Sequence, residues 1–86
     1  MRKNPLLTLR ALADPTRWRM LALLSKNEIC ACLLPARVRV SQPAVSQHLS
    51  VLLEAGLVDL RVDGRKRLYR LSAPGRRILM SIKRWG

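Results

Sequence analysis

Apolar residues recur in blocks along the chain, and Pro-led polar breaks separate the blocks. Asn4-Pro5 reads as an N-cap followed by Pro at the first helical position. A first helix should therefore carry Leu6, Leu9 and Leu12 to about Ala13. Asp14-Pro15 repeats the signal and opens a second helix, with Trp18, Met20, Leu21 and Leu24 on one broad face. The polar turn Ser25-Lys26-Asn27 ends it. The stretch Ile29 to Pro35 is harder, because Pro inside a helix costs roughly 3 kcal/mol. With Cys32 as N-cap and Leu33 as first helical residue, Pro35 falls in the first turn, where its missing N–H has no intrahelical partner. A short third helix, about Leu33 to Arg39, results.

Ser41 is a good cap for a fourth helix from Gln42 to about Ala55, closed by Gly56. Val45, Leu49, Leu52 and Leu53 form its apolar stripe, and Pro43, Ser46, Gln47, Ser50 and Glu54 project opposite. Leu57 to Val62 reads as a strand, Asp63-Gly64 as a tight hairpin turn, and Arg65 to Leu71 as the returning strand. Ser72 caps a last helix with Ile78, Leu79, Ile82 and Trp85 on one face. The order is helix, helix, short helix, turn, helix, hairpin, helix. It predicts an α+β fold, mostly helical: a winged helix-turn-helix with a two-stranded β-hairpin wing.

Length fixes the domain count. A chain of 86 residues makes one domain, residues 1–86, and buries roughly 60% of its unfolded surface, so it gains from a partner. Charge narrows the partner. Lys and Arg number 17 against 5 acids, a net +12, and such self-repulsion favours a polyanion. Nucleic acid leads and an anionic membrane surface follows. Hydrophobic residues make up 49% of the chain, too many for a disordered basic tail. No apolar run reaches the roughly 18 residues of a membrane span. Arg2 and Lys3 begin a basic start, but Arg10 and Asp14 interrupt the apolar stretch, so no signal peptide is expected. The expected location is the cytoplasm, where thiols stay reduced, so Cys30 and Cys32 are expected not to form a structural disulfide. One His, five acids and no Gly-rich phosphate loop make an enzyme, or an organic cofactor, a poor reading.

The fourth helix carries the reading chemistry. Helix N-terminal residues reach base edges in the major groove. Gln42 and Gln47 each offer an amide donor and acceptor suited to adenine. Ser46 can bond bases or phosphates, Ser41 stands at the helix start, and Pro43 or Ala44 suits a thymine methyl. A merely solvated face is the plainer alternative, yet no Lys or Arg stands between Ser41 and Leu60, whereas solvated faces usually carry charge. His48, the only histidine, supplies one metal ligand at most, so a structural or DNA-proximal role is expected. Arg61, Arg65, Lys66, Arg67 and Arg70 crowd the hairpin, and Arg37 and Arg39 precede the reading helix. Phosphate contact explains them, since it positions a protein without reading sequence. A soluble basic strand pair is the alternative.

Cys30 and Cys32 are the sharpest chemical feature. Thiolates bind soft ions, and two Cys at i and i+2 converge if the backbone is extended or entering a helix. Two small buried hydrophobes are the alternative. At the chain's two ends, the last helix's apolar face and the first helix's leucines would compete for one small core. Burying Leu6, Leu9, Ile78, Ile82 and Trp85 across a two-fold axis is the more economical solution, and packing within one chain is the alternative.

Several segments are familiar. Ala11-Leu12-Ala13-Asp14-Pro15-Thr16-Arg17 resembles the opening of ArsR/SmtB-type repressors. So do Glu28-Ile29-Cys30-Ala31-Cys32-Leu33, Ser41 to Leu49, Leu53 to Val58, the Gly64-Arg65 tip and Tyr69-Arg70-Leu71. The resemblance spans roughly residues 6 to 85. It implies a homodimeric repressor, its first and last helices at the dimer interface, that leaves a palindromic operator in double-stranded DNA on binding a metal or metalloid ion. It also implies Cys30 and Cys32 as the ligands, with As(III), Sb(III), Cd(II) or Zn(II) as effector. This sequence departs from the arsenic-sensor box, because Leu33-Leu34 replace Asp-Leu and Pro35 stands where a third Cys often does. Residues 73–86 hold no His, Asp, Glu or Cys for the zinc site of some relatives. Competing expectations are a winged helix with no metal response, a small basic RNA-associated protein, and a Cys-x-Cys redox enzyme. Few aromatics argue against RNA stacking platforms, and the lack of a βαβ pattern against the enzyme.

Overall fold

All five prolines stand in the first two positions of a helix, where the missing N–H costs nothing. The computed structural model describes residues 4–85, so Arg2 and Lys3 lie outside it. Helices α1 (Pro5–Leu12) and α2 (Pro15–Leu24) open the chain. Asn4 Oδ1 accepts from Leu6 N–H at 2.9 Å and Asp14 Oδ2 from Arg17 N–H at 2.9 Å, so both caps stand as expected. Helices α3 (Leu34–Val38), α4 (Gln42–Glu54) and α5 (Ala73–Lys83) complete the helical set. Ser41 caps α4 through Ala44 N–H at 3.3 Å, and Ser72 caps α5 through Gly75 N–H at 2.9 Å.

Three local expectations change. A short strand β1 (Ile29–Cys30) joins β2 (Val58–Asp63) and β3 (Lys66–Leu71), so the wing belongs to a three-stranded antiparallel sheet of order β1-β3-β2. Only two residues pair, Ile29 with Tyr69 and Cys30 with Leu68, too few for any periodicity to announce them. The cap before α3 is Cys30, whose sulfur accepts from Cys32 N–H at 3.3 Å. A 3₁₀ turn, Ala31–Leu33, follows it, and α3 starts at Leu34 rather than Leu33. The hairpin pairs Asp63 with Lys66, so the turn centres on Gly64-Arg65, with Gly64 at φ 64°. That left-handed position is the one a Cβ would strain.

The core lies where α2, α3, α4 and the base of the sheet meet. Met20, Leu21, Leu24, Leu34, Val45, Leu52 and Leu57 are each under 2% exposed. Leu53, expected in the α4 stripe, is instead 37% exposed, because Val45, Leu49 and Leu52 already fill the buried side. Ser72 anchors α5 to the end of α4, since its Oγ donates to Gly56 carbonyl at 2.7 Å and its N–H to Leu57 carbonyl at 3.0 Å. Gly75 presses against the Leu57 backbone so closely that a Cβ there would collide with the carbonyl oxygen.

Candidate DNA interface and cysteine site

Helices α3 and α4 form the helix-turn-helix. The turn between them is made by Arg39, the one non-glycine described residue with positive φ, at 60°. Its N–H donates to Pro35 carbonyl at 2.8 Å and closes α3 in a left-handed cap. Val45, Leu49 and Leu52 hold the inner face of α4 against the core. Ser41, Gln42, Pro43, Ser46 and Gln47 are all exposed, so the polar edge read from sequence is presented as one surface at the helix N-terminal half. Arg37 and Arg39 are exposed beside it.

His48 is half-buried, and its ring meets an arginine from α2. Its Nδ1 lies 2.9 Å from Arg17 Nη1. The same guanidinium donates through Nε to Ala11 carbonyl at 2.8 Å and through Nη2 to Arg10 carbonyl at 3.0 Å. Arg17 was not singled out from sequence. The signal was present, because the Asp-Pro-Thr-Arg segment carried part of the family resemblance.

Beyond Leu60, the wing is open to solvent. Val62, Asp63, Gly64, Arg65, Lys66 and Arg67 are all exposed, with the three basic residues at and just after the turn. Arg61 differs from them. Its Nη2 and Nε donate to the two carboxylate oxygens of Glu28 at 2.7 and 3.1 Å, a fork that ties the wing root to the segment before β1. The bond from Arg61 holds the Glu28 carboxyl below its ordinary value and raises that of Arg61. Arg70 stands 3.7 Å from Asp59 across the same sheet face. Arg65, Lys66 and Arg67 take part in no side-chain hydrogen bond or ion pair among the described residues.

The cysteines depart from expectation. Cys30 and Cys32 are joined as a disulfide across one intervening residue, with Cα atoms 5.2 Å apart. The backbone explains the meeting: Cys30 ends a strand with ψ 136° and Cys32 is the middle residue of the 3₁₀ turn, which folds the second side chain back onto the first. So small a loop restrains little of the unfolded chain. The pair's position is informative: Cys30 is hydrogen-bond-registered to the wing through β3, and Cys32 lies in the turn leading into α3. As donors, the two sulfurs converge on one place, which suits a soft ion once they are reduced. They have no third protein donor, because no group of three or more His, Cys, Asp and Glu able to hold a metal occurs among the described residues.

Helices α1 and α5 leave an apolar face open between them. Leu6 is 72% exposed, Leu9 61% and Trp85 81%. Leu9, Leu12, Ile78, Ile82 and Trp85 line a groove of about 290 Å³ between the two helices. No described helix is long and apolar enough to cross a membrane.

Comparison with known proteins agrees with this arrangement. The family model described as "Bacterial regulatory protein, arsR family" matches residues 14–59. The arsenical resistance operon repressor of Staphylococcus xylosus is 42% identical over 64 residues, 74% of this chain and 62% of that one. The chain thus spans about three fifths of that relative's length. Among solved structures, a possible transcriptional regulator for arsenical resistance superposes with a TM-score of 0.77 at 45% identity, covering 87% of this chain and 78% of the other. The homodimeric winged helix-turn-helix domain Mb0332 of Mycobacterium bovis reaches 0.86 at 24% identity, covering 92% and 74%, which speaks for the fold. The family and fold are those of transcriptional regulators and not of enzymes, and this chain belongs to the arsR family of bacterial regulatory proteins.

Proposed function

We propose that the protein is a homodimeric, cytoplasmic repressor that binds a palindromic operator in double-stranded DNA. The observation that carries the reading is the exposed edge of α4, polar, compact and free of Lys and Arg, flanked by unpaired basic side chains on α3 and the wing. Gln42, Ser46 and Gln47 meet base edges, and Pro43 lies against a thymine methyl. Arg37, Arg39, Arg65, Lys66 and Arg67 meet phosphates. Arg61, already forked onto Glu28, sets the wing's angle. Leu6, Leu9, Ile78, Ile82 and Trp85 pair with a second copy, because an apolar groove of this kind is poorly suited to water. Two reading helices then fall roughly 34 Å apart, one DNA turn.

Cys30 and Cys32, once reduced to thiolates, hold the effector, a soft ion such as As(III), Sb(III), Cd(II) or Zn(II). An external ligand completes the shell. The pair touches both the wing sheet and the turn into α3, so drawing it onto an ion disturbs both DNA-contacting parts. Release requires the ion to favour the DNA-free form by roughly 1–3 kcal/mol.

Fluorescence anisotropy with a duplex selected from a random pool tests both halves. The wild type should bind with steep salt dependence and leave on addition of arsenite after reduction. A Cys30→Ser/Cys32→Ser variant should bind equally and stay bound. Arsenite release by that variant assigns the switch elsewhere. The joined cysteines favour a second reading, a winged-helix regulator with no ion response, and this reading predicts no release from either protein.

A further inference from the structure

We infer that Arg17 is a positioning residue that sets the recognition helix against α1, with His48 as its receiver. The inference rests on the DNA-reading role proposed for α4. A guanidinium has donors only, so His48 Nδ1 must accept the 2.9 Å bond and carry no proton. The ring is then neutral, with its hydrogen on Nε2. The other two bonds end on the Arg10 and Ala11 carbonyls in the last turn of α1, where the Arg10 carbonyl also accepts from Ala13 N–H at 3.2 Å. A cation is favoured there by the helix dipole. Arg17 itself sits in the first turn of α2, where its own N–H is held by Asp14. One planar group therefore fixes the end of α1, the start of α2 and the middle of α4.

This has a consequence for DNA reading. Helix α1 carries Leu6 and Leu9 of the apolar face assigned to the partner copy, and α4 carries the base-reading edge. Few other polar links bridge them: among the described residues, Arg17 is the only side chain hydrogen-bonded to both. The spacing of two reading helices in a dimer must match the groove to within a fraction of an ångström for bidentate contacts to form. Phosphate contacts tolerate more slack. A strut between dimer helix and reading helix thus acts on specific binding far more than on general affinity. Of the structural and DNA-proximal roles expected for His48, this view takes the structural one, a receiver of position.

Lysine at position 17 is the cleanest probe, because it keeps the charge and loses the planar three-way fork. Binding of wild type, Arg17→Lys, His48→Leu, His48→Gln and the Arg17→Lys/His48→Leu double variant is measured on two duplexes. One is selected by the wild type from a random pool, and the other has unselected sequence. Arg17→Lys and His48→Leu should each weaken the selected duplex about tenfold with little change on the unselected one. The double variant should be no worse than either alone, as members of one interaction are non-additive. His48→Gln, whose amide oxygen still accepts, should recover most of the loss. Nitrogen NMR of wild-type His48 should show an unprotonated Nδ1 and a protonated Nε2. Equal losses on both duplexes, tracking a fall in melting temperature, would make Arg17 merely structural and overturn the inference. Additive losses make His48 a direct base contact, which also overturns it. A protonated Nδ1 does the same without any DNA. Selection that yields no preferred duplex overturns the DNA reading itself, and the strut's role with it.

Discussion

The recognition helix and the wing are both expected to touch DNA, yet they are built in opposite ways. Helix α4 is pinned along its length: Val45, Leu49 and Leu52 are buried, Ser41 caps its start, and Ser72 clamps its end. It offers the groove no Lys or Arg. The wing beyond Leu60 and Tyr69 has no buried side chain, and its tip carries Arg65, Lys66 and Arg67 together. Nine of the 17 basic residues lie in residues 61–86. The difference follows from what each surface must do. Hydrogen bonds to base edges fail with small displacements, so they need a rigid platform. Coulombic grip on phosphates changes slowly with distance, so it works from a loose ribbon.

The comparison breaks most severely at the clamp. Gly75→Ala places a methyl against the Leu57 carbonyl, and neither backbone can yield without moving α5 off the end of α4. The expected cost is about 3 kcal/mol of fold stability. Calorimetry should show a melting point lower by roughly 15 °C for a domain of this size. An unchanged melting point would mean that α5 sits on α4 less tightly than the structure has it.

Next in size is the split between reading and gripping. Gln47→Ala should cost about 2 kcal/mol on the preferred duplex, with discrimination lost and the salt slope kept. Arg65→Ala on the wing should weaken all sequences alike and reduce the slope by about 1. Anisotropy titrations over a salt series separate the two. If Gln47→Ala flattens the slope, or Arg65→Ala alters sequence preference, the division of labour drawn here is wrong.

This division was largely legible in the sequence, because it rests on local signals. Asn4, Asp14, Ser41 and Ser72 each precede a proline-led helix, and side-chain capping is a matter of three or four residues. The stripe of α4 and the charge crowding of the hairpin are likewise local. What stayed hidden depends on contacts distant in sequence. β1 exists only because Ile29 and Cys30 find the free edge of β3. The reach from Arg17 to His48 spans 31 positions, and the fork from Arg61 to Glu28 spans 33. The joining of Cys30 and Cys32 runs against an expectation drawn from compartment, a consideration that says nothing about where a 3₁₀ turn aims a side chain.

A smaller effect concerns how α2, and with it the Arg17 fork, is held. The Asp14 carboxyl lies below its usual range, chiefly because it accepts from Arg17 N–H, with the Arg17 charge adding and partial burial opposing. A depressed carboxyl contributes stability that is complete above the unfolded value, about pH 4, and disappears as pH falls through the lower folded value. Asp14→Ala should cost about 1 kcal/mol at neutral pH. The gap between variant and wild type should close on acidification through that window. A gap that persists in acid would trace the loss to packing and not to the ionised cap.

The smallest effect sharpens the comparison most, because it separates stability from grip at one residue. Arg39 closes α3 with φ 60°, a conformation that costs a residue with a Cβ about 1 kcal/mol. Glycine adopts it freely but loses more freedom on folding, so part of the gain cancels. Arg39→Gly should therefore stabilise the fold by about half a kcal/mol. DNA should respond in the opposite direction, with affinity lower on every sequence and the salt slope reduced by about 1. A natural left-handed cap would ordinarily be Gly or Asn. An arginine kept at that position despite the strain is explained if its charge faces phosphate, and thermal melts beside salt titrations of one variant decide it. Lower stability together with unchanged DNA binding would show that Arg39 serves the turn and not the backbone grip.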